Sequence, residues 1–308
     1  MSPKDKILKR LIEADNVLSG EVISAQLGIS RVSVWKHIKG LIASGVSISS
    51  SPKGYRLISD PDSLAAWEFG ARAGQIHYFS EVSSTMDTAR AMAREGCPDH
   101  TVVVAQRQTH GRGRLKRTWS SADGGLYFSV VARPTIPVMV ASLVNLAAAV
   151  HMADTIRSLH HIEAILKWPN DIYANQQKLC GILSQMEAEG DQIAYINTGI
   201  GLNVNNDPET NEPRAISLKS LLGRSVPRRE ILEAFLDRFE KQMAHFDPLA
   251  VIARWRANNM TIGRAVRIQT INDAFEGTAV DIDALGGLVL RLADGRIQTV
   301  VHGDCFEQ

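Results

Sequence analysis

Residues 101–120 read TVVVAQRQTHGRGRLKRTWS, and this stretch decides how the middle of the chain is built. Val102–Ala105 is an apolar run of strand length, and the residues after it follow neither a helical nor a strand period. The stretch holds Arg107, Arg112, Arg114, Lys116 and Arg117 and no carboxylate. Gly111 and Gly113 leave backbone N–H groups open to close approach. The alternating guanidinium forks match phosphate and carboxylate oxygens. Physically this is an anion-cradling loop, with a mobile surface loop as the competing reading. It is neither a Gly-x-x-x-x-Gly-Lys-Ser/Thr phosphate loop nor a Gly-x-Gly-x-x-Gly dinucleotide turn, so the common nucleotide motifs are excluded.

Outward from the loop, strand-length runs at 102–105, 126–131 and 193–204 alternate with helical periods at 83–94, 138–159 and 229–246. Asp62 can cap a helix through Leu64, Trp67 and Phe69 that leads into this region. After residue 261 the pattern becomes short strands at 266–270, 275–281, 288–292 and 297–302, separated by turns at Asn272-Asp273, Gly286-Gly287 and Asp294-Gly295. The fold class is α+β in three modules: 1–60, a central mixed α/β domain over 61–261, and a small SH3-like β-barrel over 262–308.

The first module reads as a winged helix–turn–helix. Ser2 and Pro3 suit a helix start, and Ile7, Leu8, Leu11 and Ile12 fall on one face. Ser19 caps a second helix that Gly28 ends, and Ser30 caps a third in which Val34, Ile38, Leu41 and Ile42 face inward and which Gly45 ends. Two strands around 46–49 and 55–58 follow, and the turn-prone Ser59-Asp60-Pro61-Asp62 closes the module. Such a third helix enters the major groove, with Ser30, Arg31, Ser33, Lys36, His37 and Lys39 reaching phosphates and base edges while Lys53 and Arg56 reach the backbone from the wing. The alternative is a solvated face, or a winged helix that binds protein.

Charge supports this division. The chain has 34 Lys+Arg against 33 Asp+Glu, a net +1, which rules out a globally basic nucleic-acid coat. Residues 1–60 nevertheless hold nine Lys/Arg against five Asp/Glu. An excess this modest favours dimerisation on DNA. Cys97, Cys180 and Cys305 are odd in number and widely spaced, which fits neither a disulfide framework nor a zinc site and suggests a reduced cytoplasm. The start carries charges among its apolar residues, unlike a secretory signal. The apolar stretch 136–153 is broken by Pro137, Ser142, Asn145 and His151, so no membrane span is expected. His160-His161 lacks a partner cluster, so no protein metal site is expected.

Further motifs surround the loop. Ser84-Thr85 presents hydroxyls at a helix start, and Gln106 and Gln108 flank Arg107. Lys167-Trp168-Pro169-Asn170-Asp171 sets a lysine at a strand end, Lys178-Leu179-Cys180-Gly181-Ile182-Leu183 sets another before an apolar strand, and Gly199-Ile200-Gly201-Leu202-Asn203 ends a strand in small residues and an amide. With GRGRxxRxW at 111–119, the ordered set resembles the biotin protein ligases, and with the winged helix in front it resembles their bifunctional ligase/repressor class over nearly the whole chain.

The resemblance implies ATP-dependent conversion of biotin to biotinyl-5′-adenylate and transfer to a lysine of biotin carboxyl carrier protein. It also implies operator binding as an adenylate-bound homodimer, with Mg²⁺ accompanying the triphosphate. By resemblance Lys167 stabilises the reacting oxygens and Arg114 retains the adenylate; Arg112 and Arg117 line the biotin and phosphate side. Ser84, Thr85, Gln108, Gly111, Arg112, Gly113, Arg114, Lys167, Gly181 and Gly199 are the expected biotin contacts, and Trp119, Asn170, Lys178 and Asn203 join Arg112, Arg114, Arg117 and Lys167 as the adenylate contacts. Three departures stand out: Met86 where the family often has Asn, Cys180 where it often has Ala, and a Gly303-Asp304-Cys305-Phe306-Glu307-Gln308 ending without the frequent terminal Arg. A ligand-sensing repressor without chemistry, or a lipoate-type ligase, are the alternatives; the long Gly-rich lipoate signature is missing.

Overall fold

The computed structural model describes residues 3–14, 16–43, 46–58, 62–210 and 212–307, which form two compact units, 1–65 and 66–308. In the first, helices α1 (Pro3–Glu13), α2 (Gly20–Leu27) and α3 (Arg31–Ala43) precede the antiparallel hairpin β1 (Ile48–Ser51) and β2 (Gly54–Leu57). Ser19 caps α2 by accepting from the Val22 N–H at 3.1 Å, and Gly28, at φ 64°, ends it. Ser30 Oγ accepts from the Ser33 N–H at 3.1 Å at the start of α3. Ile7, Leu11, Ile23, Val34 and Ile38 form the core. Two expected core residues do not join it: Ile12 and Ile42 are 45% and 44% exposed, because each sits one position beyond the stripe its helix buries. The proposed cap Ser2, the helix end Gly45 and the boundary residues 59–61 lie outside the described residues.

The second unit opens on a 3₁₀ segment, Ala66–Gly74, broken at Gly70 (φ 53°), where a regular helix was expected from Asp62. Its centre is a seven-stranded sheet in the order β3-β4-β5-β9-β8-β7-β6. The strands are β3 (Ile76–Val82), β4 (Thr101–Gln108), β5 (Leu126–Ala132), β6 (Ile165–Lys167), β7 (Asp171–Ala174), β8 (Gln177–Glu189) and β9 (Gln192–Leu202). Only β3 and β4 pair in parallel, with α4 (Thr85–Arg94) as the crossover between them. Every residue of β5 is buried, as a strand covered on both faces requires. Val131 packs with Ala89 and Ala93 of α4, whereas Phe128 packs edge-on against Phe235 of α7 (Arg228–Ala244), which stacks on Phe239. The buried helix α5 (Leu143–His160) packs against α7 and α8 (Pro248–Ala257), and a short α6 (Leu218–Leu222) lies before them. Among the described residues no helix is long and apolar enough to cross a membrane.

The C-terminal strands β10 (Ala265–Gln269), β11 (Ala274–Ile282), β12 (Leu288–Arg291), β13 (Ile297–Val300) and β14 (Asp304–Glu307) make one antiparallel sheet in the order β13-β12-β11-β10-β14. Four of these match the sequence reading, and β14 was not anticipated. The order is open, with β13 and β14 as its edges, so the sheet is a β domain whose barrel closure does not follow from its pairing.

Phe235 is fully buried between two aromatic partners. Phe235→Ala should therefore cost about 3–5 kcal/mol, read as a lowered denaturation midpoint of the unit containing α7.

Candidate active site

The site lies on the α4 side of the central sheet, over a floor that lacks side chains. Pairing of β8 with β9 sets Gly181 opposite Gly201 and Leu183 opposite Gly199, and pairing of β5 with β9 sets Ser129 opposite Gly199. A Cβ on Gly181 would lie 2.8 Å from the Trp119 ring, and one on Gly201 2.4 Å from its Nε1, so the indole rests on this floor only because both residues are glycine. The Trp119 Nε1 is buried without an acceptor. With the indole in place the cavity measures about 250 Å³, just under the range of roughly 300–1,000 Å³ usual for small-molecule sites.

One end of the cavity is polar and already ordered. Gln108 Oε1 accepts from the Thr85 N–H at 2.8 Å and from Thr85 Oγ1 at 3.1 Å, while its Nε2 donates to Ser121 Oγ at 2.8 Å. Ser129 Oγ donates to Thr85 Oγ1 at 2.9 Å beneath them. Met86 fills the space above Gly199, where an added Cβ would come 2.5 Å from its Cγ. Ser84, at the helix start, is fully buried with its Oγ unpartnered and makes no cap hydrogen bond.

The loop supplies the charge. Arg112 Nη1 donates to Asp87 Oδ1 at 2.8 Å, Arg117 pairs with Asp304 of β14, and Arg114 Nη1 donates to the neutral Asn170 Oδ1 at 3.3 Å. Burial lowers the Arg114 guanidinium from its ordinary value, opposed by Asp304 and Asp171. Asn170 is fixed in turn by donating from Nδ2 to the Ile182 carbonyl at 2.8 Å. Lys178 Nζ pairs with Asp171 Oδ2 at 2.8 Å and lies 5.4 Å from the Trp119 ring centre, while Asp171 Oδ1 stays buried and unpartnered.

Thr85, Gln108, Arg112, Gly113, Arg114, Arg117, Trp119, Asn170, Lys178, Gly181, Gly199 and Asn203 all line the cavity. Three expected residues do not. Ser84 and Gly111 support it from behind; the Gly111 carbonyl accepts from the Trp119 N–H at 2.8 Å, and a Cβ there would strike Trp119 O at 2.4 Å. Lys167 is not among the wall residues, yet it shares their face of the sheet. Register sets Lys167 opposite Asp171, Asp171 opposite Gly181 and Gly181 opposite Gly201, while its neighbours Leu166 and Trp168 are buried on the reverse face; its Nζ lies 4.8 Å over the Tyr173 ring. Lys178 lines the cavity itself. Gln106 faces elsewhere, accepting from Arg228 Nη1 at 3.1 Å. Sequence reasoning missed Asp171, Gly201 and Asp304 as wall residues, although the first two lie inside motifs it had singled out. Among the described residues no three His, Cys, Asp or Glu side chains gather as a metal site. On the first unit, Arg31, Lys36, Lys39, Lys53 and Arg56 are exposed and His37 is half-buried, but the Ser30 and Ser33 hydroxyls bond each other at 3.0 Å.

Comparison with known proteins agrees with this geometry. A profile described as the biotin/lipoate A/B protein ligase family matches residues 78–203, a helix–turn–helix profile matches 4–56, and one for the biotin protein ligase C-terminal domain matches 261–306. The chain belongs to the biotin protein ligases, in their bifunctional ligase/repressor branch. It is 38% identical to the bifunctional ligase/repressor BirA of Bacillus subtilis (strain 168), over 95% of this chain and 96% of that protein. It is 33% identical to the biotin–[acetyl-CoA-carboxylase] ligase of Mycobacterium tuberculosis over 80% of this chain and 94% of that one. The biotin protein ligase of Aquifex aeolicus, solved with biotin and ATP, superposes with a TM-score of 0.65 at 27% identity, over 76% of this chain and 98% of that one.

Cys180 is fully buried beneath the site, and burial pushes its thiol well above the ordinary range, so the reactive thiolate is suppressed. In the native protein at pH 8 an aromatic disulfide reagent should titrate the half-buried Cys97 and Cys305 first, with the third thiol released only on denaturation. Rapid loss of all three would overturn this assignment of Cys180.

Proposed function

We propose that the chain joins biotin to ATP and then to protein in the cavity over Gly181 and Gly201. A carboxylate oxygen of biotin attacks the α-phosphorus, the bond to the β-phosphate oxygen breaks, and pyrophosphate leaves. The amine of a carrier-protein lysine then attacks the acyl carbon, AMP departs, and an amide forms. The observation carrying this reading is the meeting of Lys178, Arg114 and the Gln108–Thr85 polar end in one glycine-floored cavity.

Each step asks for a particular residue. Two anions must approach and charge spreads over phosphorus, so a fixed cation is needed that does not reorganise during the reaction. Lys167 suits this, since the sheet register sets it on the cavity face opposite Asp171, which also holds the Lys178 ammonium beside it. Arg114, desolvated and bonded only to a neutral amide, gains most from an anion and would retain the adenylate. The ordered Thr85–Gln108–Ser121 chain offers hydroxyl and amide groups to a neutral ureido ring, and Met86 offers an apolar wall beside it. Mg²⁺ would travel with the triphosphate and neutralise part of its charge. The residues present fit that role, since the unpartnered Asp171 Oδ1 can accept from a hydrating water.

The wider assignment rests on relatives and on composition. The modules run 1–60, 61–261 and 262–308, and the bulge between Ala279 and Asp281 supports curling of the last into an SH3-like module. The first represses transcription from an operator as part of an adenylate-loaded homodimer, and a biotin carboxyl carrier protein is the acyl acceptor, all in the cytoplasm. The ligase/repressor relatives and the exposed cations of α3 and the wing support this.

Two substitutions at once separate the lysines. Lys167→Ala should slow biotin-dependent pyrophosphate release by about 10²–10³, whereas Lys178→Ala should slow it less. The reverse ranking would move the catalytic cation to β8. Arg114→Gly should still form adenylate but release it, so that bystander lysines become biotinylated; labelling confined to the carrier protein would refute the retention role.

A further inference from the structure

The outward face of α3 is not uniformly polar. Arg31, Val32, Trp35, Lys36 and Lys39 recur at a spacing that sets them along one side of the helix, away from buried Val34, Ile38 and Leu41. Val32 is 62% and Trp35 46% exposed, at the centre of this face and flanked by its cations. Both line a shallow groove bounded by Ser19 and Glu21 of the α2 start and by Lys53 and Tyr55 of the wing. Lys39 Nζ lies 4.2 Å over the Trp35 ring.

What α3 lacks is as informative as what it shows. Its sequence, RVSVWKHIKGLIA, holds no Asn or Gln for a two-bond contact to adenine and no Asp or Glu to accept from cytosine. The Ser30 and Ser33 hydroxyls bond each other at the helix start. Arg31, Lys36 and Lys39 suit phosphates or guanine, and the exposed pair at the centre of the face, Val32 and Trp35, offers apolar contacts; among the four bases only thymine presents a methyl group in the major groove. The cations around the pair, Arg31, Lys36, Lys39 and Lys53, complement a phosphate backbone, with Glu21 the one acid among the groove residues.

We propose that Val32 and Trp35 are the specificity-determining residues of the first unit, and that they read the C5-methyl groups of neighbouring thymines in the major groove. This deepens, and rests on, the reading of that unit as an operator-binding module. The surrounding cations hold the phosphates and set the register.

The test uses the full chain with biotin and ATP. Duplexes are selected from a random pool, and the winner is remade with deoxyuridine for thymidine, which deletes the methyls and keeps the pairing. Wild-type affinity should fall about fourfold for each contacted methyl. The Val32→Ala/Trp35→Ala variant should bind both duplexes alike while keeping its salt-dependent affinity for unselected DNA. Equal wild-type affinity for the two duplexes, or selected half-sites with no shared thymine, would overturn methyl reading while leaving operator binding intact. Failure to select or retain any duplex, even at low salt, would overturn operator binding itself and methyl reading with it. The deoxyuridine exchange is made on wild-type protein, so the decision does not depend on the variant folding.

Discussion

The absence of side chains at one place on the central sheet is the constraint on which the site depends. Gly181 and Gly201 face each other across the β8–β9 pair, and Gly199 lies two residues along the same strand. An indole can lie flat there, and the loop that carries it closes as a small hairpin. The Trp119 N–H donates to the Gly111 carbonyl at 2.8 Å and the Gly113 N–H to the Arg117 carbonyl at 2.8 Å. Once Trp119 is down, Arg112, Arg114 and Arg117 point along the cavity. A single methyl on the floor would lift the tryptophan and take the three guanidinium groups with it. Sheet register thus fixes the position of charges that belong to an irregular loop.

Much of this was legible in the sequence because its signals are local. Caps at Ser19 and Ser30, the αL glycine at 28 and the turn glycines of the last module each act within a few residues, and each is found where the pattern sets it. The cavity walls were also largely legible, since the motifs are contiguous runs and the strands bring whole runs together. The rest needed information that motifs do not contain. The lysine of KWPND and that of KLCGIL are equally basic and equally close to a strand end, and only the register that aligns Lys167, Asp171, Gly181 and Gly201 across four strands shows that the first shares the face of the glycine floor. Asp304 was invisible for a different reason. It reaches Arg117 because β14 joins the sheet beside β10, and no local pattern encodes a pairing between such distant segments.

The same contrast separates the two faces of α3. Periodicity identified Val34, Ile38 and Leu41 as core correctly, and it assigned Ile42 there too because apolar residues count alike in a period. Burial distinguishes them. Three apolar residues of that helix, Val32, Trp35 and Ile42, remain outside, and two of them share a face with its cations.

The loop's charges are not equivalent before a ligand arrives, and that difference gives the site its selectivity for anions. Arg112 and Arg117 each have a carboxylate, so an incoming phosphate must displace Asp87 or Asp304 and gains only the difference between two partners. Lys178 shares its ammonium with one carboxylate oxygen, and ligand oxygens can join without displacing it. Arg114 has only an amide oxygen and is disfavoured by burial, so an anion there recovers lost solvation and adds a charge-assisted bond. Binding free energy is therefore concentrated at the two cations nearest Asn170 and Asp171 and diluted at the other two. An acyl-adenylate, a mixed anhydride that sets one phosphate beside an acyl carbonyl oxygen, meets the first pair fully. A ligand offering only a remote charge would have to break an ion pair for each one it made.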